Sequence, residues 1–208
     1  MLVSVSTRAK HSAPSQLSGF SQSDPISQCD ANQLLIGIIH GQLAGQVNLP
    51  HGLGLEYAAY HGLLLELADE TLLAADKHWQ NMGDNHLTMR STVLGELLAM
   101  QLAERNELVS LLLEYAAEDA QHVDSVAVMV ATACLSPAHL WKSLGLTSRQ
   151  QLRQLLTFFF PQLVALNQQN MRWKRFFYRC LCERSGDYVC KAPNCVDCSS
   201  YQECFTAE

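Results

Sequence analysis

The stretch Asp124-Ser-Val-Ala-Val-Met-Val-Ala-Thr-Ala-Cys-Leu135 decides the fold class of this chain. Over so short a length, hydrophobic periodicity does not separate a buried strand from a buried helix. A strand needs neighbouring strands to satisfy its backbone hydrogen bonds, and no other segment has the composition of a strand. We therefore predict that residues 124–135 form a buried helix in an all-α fold.

Helical patterns extend in both directions from this run. Upstream, four apolar residues have the i, i+3, i+4, i+7 spacing of one helix face: Tyr60, Leu63, Leu64 and Leu67. Downstream, Ser136 and Pro137 have the order of an N-cap and a first helical residue. Residues 147–150, Thr-Ser-Arg-Gln, indicate a capping box that opens a last long helix. We expect that helix to reach Cys180 with a bend at Pro161.

The chain divides into three predicted segments. Residues 1–28 are rich in Ser, Gln and Pro, and we expect a disordered leader there. Residues 29–182 form the predicted helical bundle, whose first helix we expect Asp30 to cap. Residues 183–208 form a cysteine-rich tail for which we predict no regular structure. The sequence shows neither a secretory signal nor an apolar run of about 20 residues, which favours a cytoplasmic protein without a membrane span.

Charge is distributed unevenly along the 208 residues. The net charge of −6 argues against a general nucleic-acid binder. Residues 1–170 carry a net charge of −7, whereas residues 171–208 carry a net charge of +1. The basic side chains therefore lie beside the cysteine-rich tail.

Four of the eight cysteines lie within residues 190–204, in the pattern Cys190-x4-Cys195-x2-Cys198-x5-Cys204. Short spacers of this kind bring several thiolates onto one metal ion or iron–sulfur cluster. Disulfides are the less favoured interpretation, because thiols stay reduced in the cytoplasm. The spacing alone does not separate zinc from an iron–sulfur cluster. Cys182 is near enough in sequence to be a further ligand.

The segment before the tail combines aromatic and basic residues. On a helix, Trp173, Phe176, Phe177 and Cys180 share one face, which we expect to pack into the core. The cations of this segment are candidates for an anion-binding surface: Arg172, Lys174, Arg175 and Arg179.

The last seventy or so residues resemble the NifQ family of nitrogen-fixation accessory proteins. The resemblance is carried by these pieces, in order: His139-Leu140-Trp141, Leu144-Gly145-Leu146, Phe160-Pro161, Asn167, Met171-Arg172-Trp173-Lys174, Phe177-Tyr178, Leu181-Cys182-Glu183 and the run from Cys190 to Phe205. The cysteine spacing occurs together with the Arg-Trp-Lys segment, which makes the resemblance specific.

The resemblance implies a carrier rather than an enzyme. NifQ-like proteins are taken to hold a molybdenum–iron–sulfur cluster and to donate molybdenum for the nitrogenase iron–molybdenum cofactor, with molybdate as the molybdenum source. The implied partners are the nitrogenase iron protein and the cofactor scaffold complex. By matching residues, the implied cluster ligands are Cys190, Cys195, Cys198 and Cys204. His139, in a matching segment, is a further candidate ligand for molybdenum.

Two other functions compete with this interpretation. A zinc-stabilised cysteine-rich binding module without redox chemistry fits the same four thiolates. A di-iron carboxylate enzyme would draw on Asp119-x-x-His122, but such sites need two acid-x-x-His pairs and the sequence has one. No nucleophile–base arrangement indicates an enzyme.

Overall fold

The computed structural model describes residues 26–185, which form helices and no strand. The helices are α1 (Gln28–Leu43), α2 (Tyr57–Leu67), α3 (Glu70–Gln80), α4 (His86–Met100), α5 (Leu102–Glu114), α6 (Val123–Cys134), α7 (Leu140–Ser143), α8 (Arg149–Phe159), α9 (Pro161–Leu166) and α10 (Trp173–Ser185). A 3-10 turn spans His51–Gly54. The predicted all-α class is confirmed for this part of the chain.

Helix α6 is the centre of the bundle, and the prediction of a buried helix is confirmed. Val126, Ala127 and Val130 have no exposed surface. The helix packs chiefly against α5 and also touches α2, α7 and the 3-10 turn. A helix satisfies its own backbone hydrogen bonds, so a run that is apolar on every side can lie in the core without a partner strand.

The remaining core comes from apolar faces turned toward α6. The predicted face of α2 is confirmed, since all four of its residues are buried. Helix α1 packs on α3 and α8, and α10 packs on α5. Phe159, Phe160 and Phe177 are the largest side chains with no exposed surface. A single apolar core therefore joins the first and last helices of the described chain.

Three of the predicted helix starts are wrong; one of them is the capping box at residues 147–150, because Ser148 rather than Thr147 caps α8. Ser27, not Asp30, caps α1: Ser27 Oγ accepts from Asp30 N at 3.2 Å, and Asp30 Oδ2 accepts from Ser27 N at 3.0 Å. This reciprocal capping box places the acid at the third helical position. The Ser27 hydroxyl lowers the pKa of Asp30. Ser136 and Pro137 do not open a helix, because α7 starts at Leu140 after His139.

The predicted long helix from residue 147 to Cys180 is also wrong, because the chain forms α8, α9 and α10 instead. The helical conformation is disfavoured before a proline, and Phe160 leaves it with φ −136° and ψ 55°. Pro161 then starts α9 rather than bending α8. A second break lies at Asn170, where φ is +49°.

Helix α4 differs from the other long helices because none of its residues is buried. Arg90 ties it to the body, donating to Gly45 O at 2.5 Å and Val47 O at 2.6 Å. Ser91 Oγ accepts from the backbone N–H of His51 at 2.7 Å. Polar contacts to the segment between α1 and α2 therefore hold α4 in place.

Among residues 26–185, no helix combines the length and apolar character that crossing a bilayer requires.

Candidate functional site

The predicted cluster ligands Cys190, Cys195, Cys198 and Cys204 lie outside the described residues. Helix α10 ends at Ser185, five positions before the first of them. Among residues 26–185 no three His, Cys, Asp or Glu side chains come together as a metal site. The described residues therefore form the helical bundle to which the cysteine-rich tail is attached.

That support begins at a turn built around Asn167. Its Oδ1 accepts from Met171 N and its Nδ2 donates to Met171 O, both at 2.8 Å. Asn167 is 8% exposed, so these bonds are shielded from water. The amide thereby replaces the helical hydrogen bonds lost between α9 and α10 and sets the direction in which α10 starts.

Helix α10 is held by the aromatic face that the sequence predicts. Phe176 and Phe177 are buried, and Trp173 packs against the core with its ring 5.9 Å from each of theirs. Cys180 and Cys182 follow on the same helix and are half-buried. Burial, and then the nearby Glu183, raises the pKa of Cys180. The helix thus carries two more thiols toward its end.

Lys174 ties α10 to the segment between α6 and α7. Its Nζ donates to Ala138 O at 2.5 Å and also to Ser136 O. Burial lowers the pKa of Lys174. The Lys174 ammonium therefore donates to two backbone carbonyls just before His139. The sequence pattern instead predicts that Lys174 binds an anion.

The three predicted anion-binding arginines have different surroundings. Arg179 is exposed, and its Nε donates to Glu183 Oε1 at 2.7 Å one turn later on α10. Arg175 is half-buried on the same helix. Arg172 lies just before α10 and contributes its charge to the surroundings of His139. Lys174 is thus occupied by backbone carbonyls, and anion binding by the three arginines stays a prediction.

His139 lies in a cationic environment. Its side chain is exposed, and its pKa is lowered by partial burial and by the charges of four cations: Arg172, Arg149, Lys142 and Lys174. Lys142 and Arg149 were not singled out in the sequence. They belong to α7 and α8, and their charges lower the pKa of His139 together with that of Arg172.

Cys134, the last residue of α6, is a buried thiol. Burial raises its pKa to about 12, and the positive charge of Lys174 acts in the opposite direction. Nearby, the hydroxyl of Tyr178 donates to Glu104 Oε1. A thiol with so high a pKa stays protonated and serves as core. Cys29 is exposed.

A buried polar network around Asp76 lies in the N-terminal half and has no signal in the sequence. The carboxylate is 4% exposed and accepts from His51 Nε2 at 2.8 Å, Tyr60 OH at 3.3 Å and Gln80 Nε2 at 2.6 Å. The His51 ring also stacks on Trp79 at 5.3 Å. These three hydrogen bonds satisfy the buried carboxylate, and they join α2, α3 and the 3-10 turn.

The Asp119-x-x-His122 pair does not form part of a metal group within the described chain. His122 has a left-handed backbone with φ of +66°. Its Nδ1 lies 3.0 Å from Glu66 Oε2, so its partner is a carboxylate on α2. This geometry gives no support to the di-iron carboxylate alternative.

Comparison with known protein families covers both the helical bundle and the cysteine-rich tail. The NifQ family model matches residues 34–206, which include the bundle from α1 onward and all four tail cysteines. The chain belongs to the NifQ family. It is therefore a nitrogen-fixation protein, and the resemblance seen in its last seventy residues extends over most of its length.

Curated relatives support the family assignment. Protein NifQ of Azotobacter vinelandii is 40% identical over 183 residues, covering 86% of this chain and 90% of the relative. Protein NifQ of Klebsiella pneumoniae is 36% identical over 165 residues, covering 78% and 90%. A NifQ homolog of Sinorhizobium fredii is 48% identical over 79 residues, or 38% and 34% of the two chains. No solved structure matches the chain.

Proposed function

We propose that this NifQ-family chain carries a molybdenum–iron–sulfur cluster and donates molybdenum for biosynthesis of the nitrogenase iron–molybdenum cofactor. The observation that supports this most is the match to residue 206, because it brings Cys190-x4-Cys195-x2-Cys198-x5-Cys204 within the family. Under this proposal the protein is a cytoplasmic carrier and not a catalyst.

The donor set suits the proposed cargo. Thiolates are the usual ligands of iron in iron–sulfur clusters. A cubane of about three irons and one molybdenum uses about three thiolates for the irons, which leaves a fourth cysteine for molybdenum or for its release. Cys182 on α10 is a further thiol close in sequence to the tail. The proposed ligands are Cys190, Cys195, Cys198 and Cys204.

The described helices suit a support for such a donor. The buried aromatic face, Lys174 and Asn167 fix α10 to the bundle, and the tail follows directly from its end. A carrier must release what it holds, so the proposal places the ligands outside the rigid bundle core. The proposed recipients are the nitrogenase iron protein and the cofactor scaffold complex.

Cysteine substitutions test the ligand assignment. We expect Cys195→Ser and Cys198→Ser to lose most of their iron and molybdenum after anaerobic purification, because each removes one thiolate from the cluster. Cys29→Ser is the matched control, since Cys29 is an exposed thiol at the other end of the described chain. Iron retained in both tail variants at the level of the control would contradict the proposal.

A transfer assay tests the donor role. Purified protein incubated with molybdenum-free scaffold complex and the iron protein should pass molybdenum to the scaffold, measured by metal analysis after separation. A wild-type protein that contains zinc and no iron would instead support the zinc-stabilised binding module.

A further inference from the structure

Helix α4 is an apolar helix that lies at the surface of the bundle. Eight of its fifteen residues are Leu, Met, Val or Ala, yet none of the fifteen is buried. A helix that is apolar on several sides normally lies inside a protein or at an interface. Within residues 26–185, part of the apolar surface of α4 is therefore left without cover.

The uncovered surface of α4 is one continuous face of the helix. Its side chains are between 52% and 83% exposed: Met89, Val93, Leu97 and Met100. Their spacing of i, i+4, i+8 and i+11 puts them on one face, which we call the α4 stripe. With Leu102, they make up five of the nine exposed large apolar side chains of residues 26–185. Single exposed apolar residues are ordinary, whereas a group of this kind indicates an interaction surface.

The contacts that hold α4 on the bundle use another part of its circumference. Leu87 packs against the core, and Arg90 donates to Val47 O at 2.6 Å. Ser91 Oγ accepts from His51 N at 2.7 Å. At 3.6 residues per turn, these three α4 residues lie roughly 65–165° around the helix axis from the α4 stripe. The bundle therefore fixes α4 in place while the α4 stripe stays open.

The distribution of charge favours a second copy of this chain as the partner of the α4 stripe. Residues 26–124 have fourteen Asp and Glu against three Lys and Arg, whereas α4 itself has one acid, Glu96, and one cation, Arg90. Repulsion between two copies is therefore smallest where they approach through α4. A basic partner would instead be attracted to the acidic surfaces outside α4. A second α4 stripe is apolar and of equal length, and two identical patches can pack about a two-fold axis.

The area of the α4 stripe suits a weak dimer. Taking roughly 120 Å² of apolar surface for a whole Leu or Met side chain, the four exposed fractions leave about 300 Å² per copy. Homodimer interfaces are about 65% apolar, so two copies would bury about 900 Å² in total. Specific interfaces bury about 1,000 Å² or more, so we expect a dissociation constant of roughly 10–100 μM.

We propose that the α4 stripe is a self-association surface, through which two copies of this chain form a weak two-fold dimer. Val93 and Leu97 lie in the middle of the α4 stripe and pack at the centre of the interface. Met89 and Met100 lie at its ends, where flexible thioether side chains fill irregular gaps. This surface is separate from the cysteine-rich tail, and dimerisation through it does not depend on the metal that the tail holds.

Sedimentation equilibrium of the full-length protein measures this association. The protein is kept anaerobic and reduced, so that the exposed thiol of Cys29 does not link two chains. We expect the mean mass to rise from the 23.1 kDa of one chain at about 2 μM toward twice that mass at about 300 μM. Sodium chloride at about 0.5 M should leave the dimer intact, because salt screens charge pairs and not apolar contacts.

Two substitutions locate the interface. Leu97→Glu should weaken dimerisation at least about tenfold, because it places an unpaired carboxylate in an apolar contact. Leu166→Glu is the matched control and should dimerise as the wild type does, since Leu166 on α9 is 53% exposed and Leu97 is 52% exposed. Far-UV circular dichroism checks that both variants keep the helix content of the wild type.

Several results would overturn the proposal. The mass of one chain at every concentration would leave the α4 stripe to a different protein. Dimerisation that Leu97→Glu does not weaken, or that Leu166→Glu weakens equally, would place the contact elsewhere on the bundle. Loss of the dimer in sodium chloride would assign it to charge pairs, and its loss in Cys195→Ser would assign it to the cysteine-rich tail.

Discussion

The two halves of the described chain carry opposite charge on one shared core. Residues 26–124, the acidic half, have fourteen Asp and Glu against three Lys and Arg, whereas residues 125–185, the basic half, have eight Lys and Arg against one acid, Glu183. Both halves contribute fully buried side chains such as Leu35 and Phe177 to the same cluster. The shared apolar core is sufficient to explain the fold, so the uneven distribution of charge is not needed to stabilise it.

The cations of the two halves also have different surroundings. In the acidic half, Arg90 donates to Gly45 O and Val47 O, and Arg105 donates to Gly54 O at 3.0 Å. In the basic half, Lys174 has this structural role, while the charges of Lys142 and Arg149 lower the pKa of His139. Both halves therefore use a cation to bind backbone carbonyls of a loop, Arg90 and Arg105 in the acidic half and Lys174 in the basic half.

The largest expected effect comes from removing core on α10. We expect Phe177→Ala to lower the free energy of unfolding by about 3–5 kcal/mol, because Phe177 is fully buried and its truncation leaves a cavity. Met100→Ala on α4 should change it by less than about 0.5 kcal/mol, since Met100 is 83% exposed. Urea unfolding measures both. If Met100→Ala lost as much stability as Phe177→Ala, Met100 would be buried in solution against a partner outside the bundle.

Gly145 contacts Val47 where the two halves meet, and we expect a substitution there to lower the free energy of unfolding nearly as much as Phe177→Ala does. Gly145→Ala adds a Cβ against Val47 at a backbone φ of +71°, and we expect a loss of roughly 2–3 kcal/mol. Gly95→Ala, in α4, meets nothing within 4 Å and should gain about 0.5–1 kcal/mol from helix propensity. A neutral Gly145 variant would contradict the account of the α7–α8 turn.

The positioning role of Lys174 is open to a similar test. Lys174→Met leaves Ser136 O and Ala138 O without their donor, so we expect a loss of about 2 kcal/mol. Arg179→Met breaks an exposed ion pair with Glu183 and should cost no more than about 0.5 kcal/mol. If Lys174→Met is as stable as the Arg179 variant, the ammonium does not hold the loop before His139.

The smallest expected effect concerns the pH dependence of stability. Because burial raises the pKa of Cys134 to about 12, the folded state keeps this thiol protonated while the unfolded chain ionises it above its ordinary pKa of 9.0. Stability contributed by the neutral thiol is therefore present below pH 9 and decreases as the pH rises, by roughly 1–2 kcal/mol at pH 10.

Urea unfolding between pH 8 and 10 measures this decrease. Cys134→Ala is the control, since it removes the thiol and should show a shallower decline. Parallel declines for the two proteins would mean that Cys134 ionises as readily in the fold as in the unfolded chain.

Much of the fold follows from sequence because its strongest signals are local. The apolar run of α6 and the i, i+3, i+4, i+7 face of α2 predict buried helices, and both are confirmed. The prediction of one long last helix is wrong because the chain breaks twice: at the residue before Pro161, and in the turn from Asn167 to Asn170. Side-chain replacement of backbone hydrogen bonds, as at Asn167, has no reliable signature in a single sequence.

The candidate site was predictable only in part for a different reason. His139 and Arg172 lie in segments that carry the family resemblance, which is why they could be named in advance. The effect of Lys142 and Arg149 on the pKa of His139 depends on the folded structure, and the hydrogen bonds of Lys174 to backbone carbonyls depend on a tertiary contact. Contacts between distant segments do not appear in residue spacing.

The measurement that tests the central claim most directly is metal analysis of the anaerobically purified full-length protein for molybdenum, iron and zinc. A molybdenum carrier with a thiolate-bound cluster predicts iron together with molybdenum, in a ratio near three to one. About one zinc per chain without iron would contradict that claim and would assign the four tail cysteines to a structural zinc site.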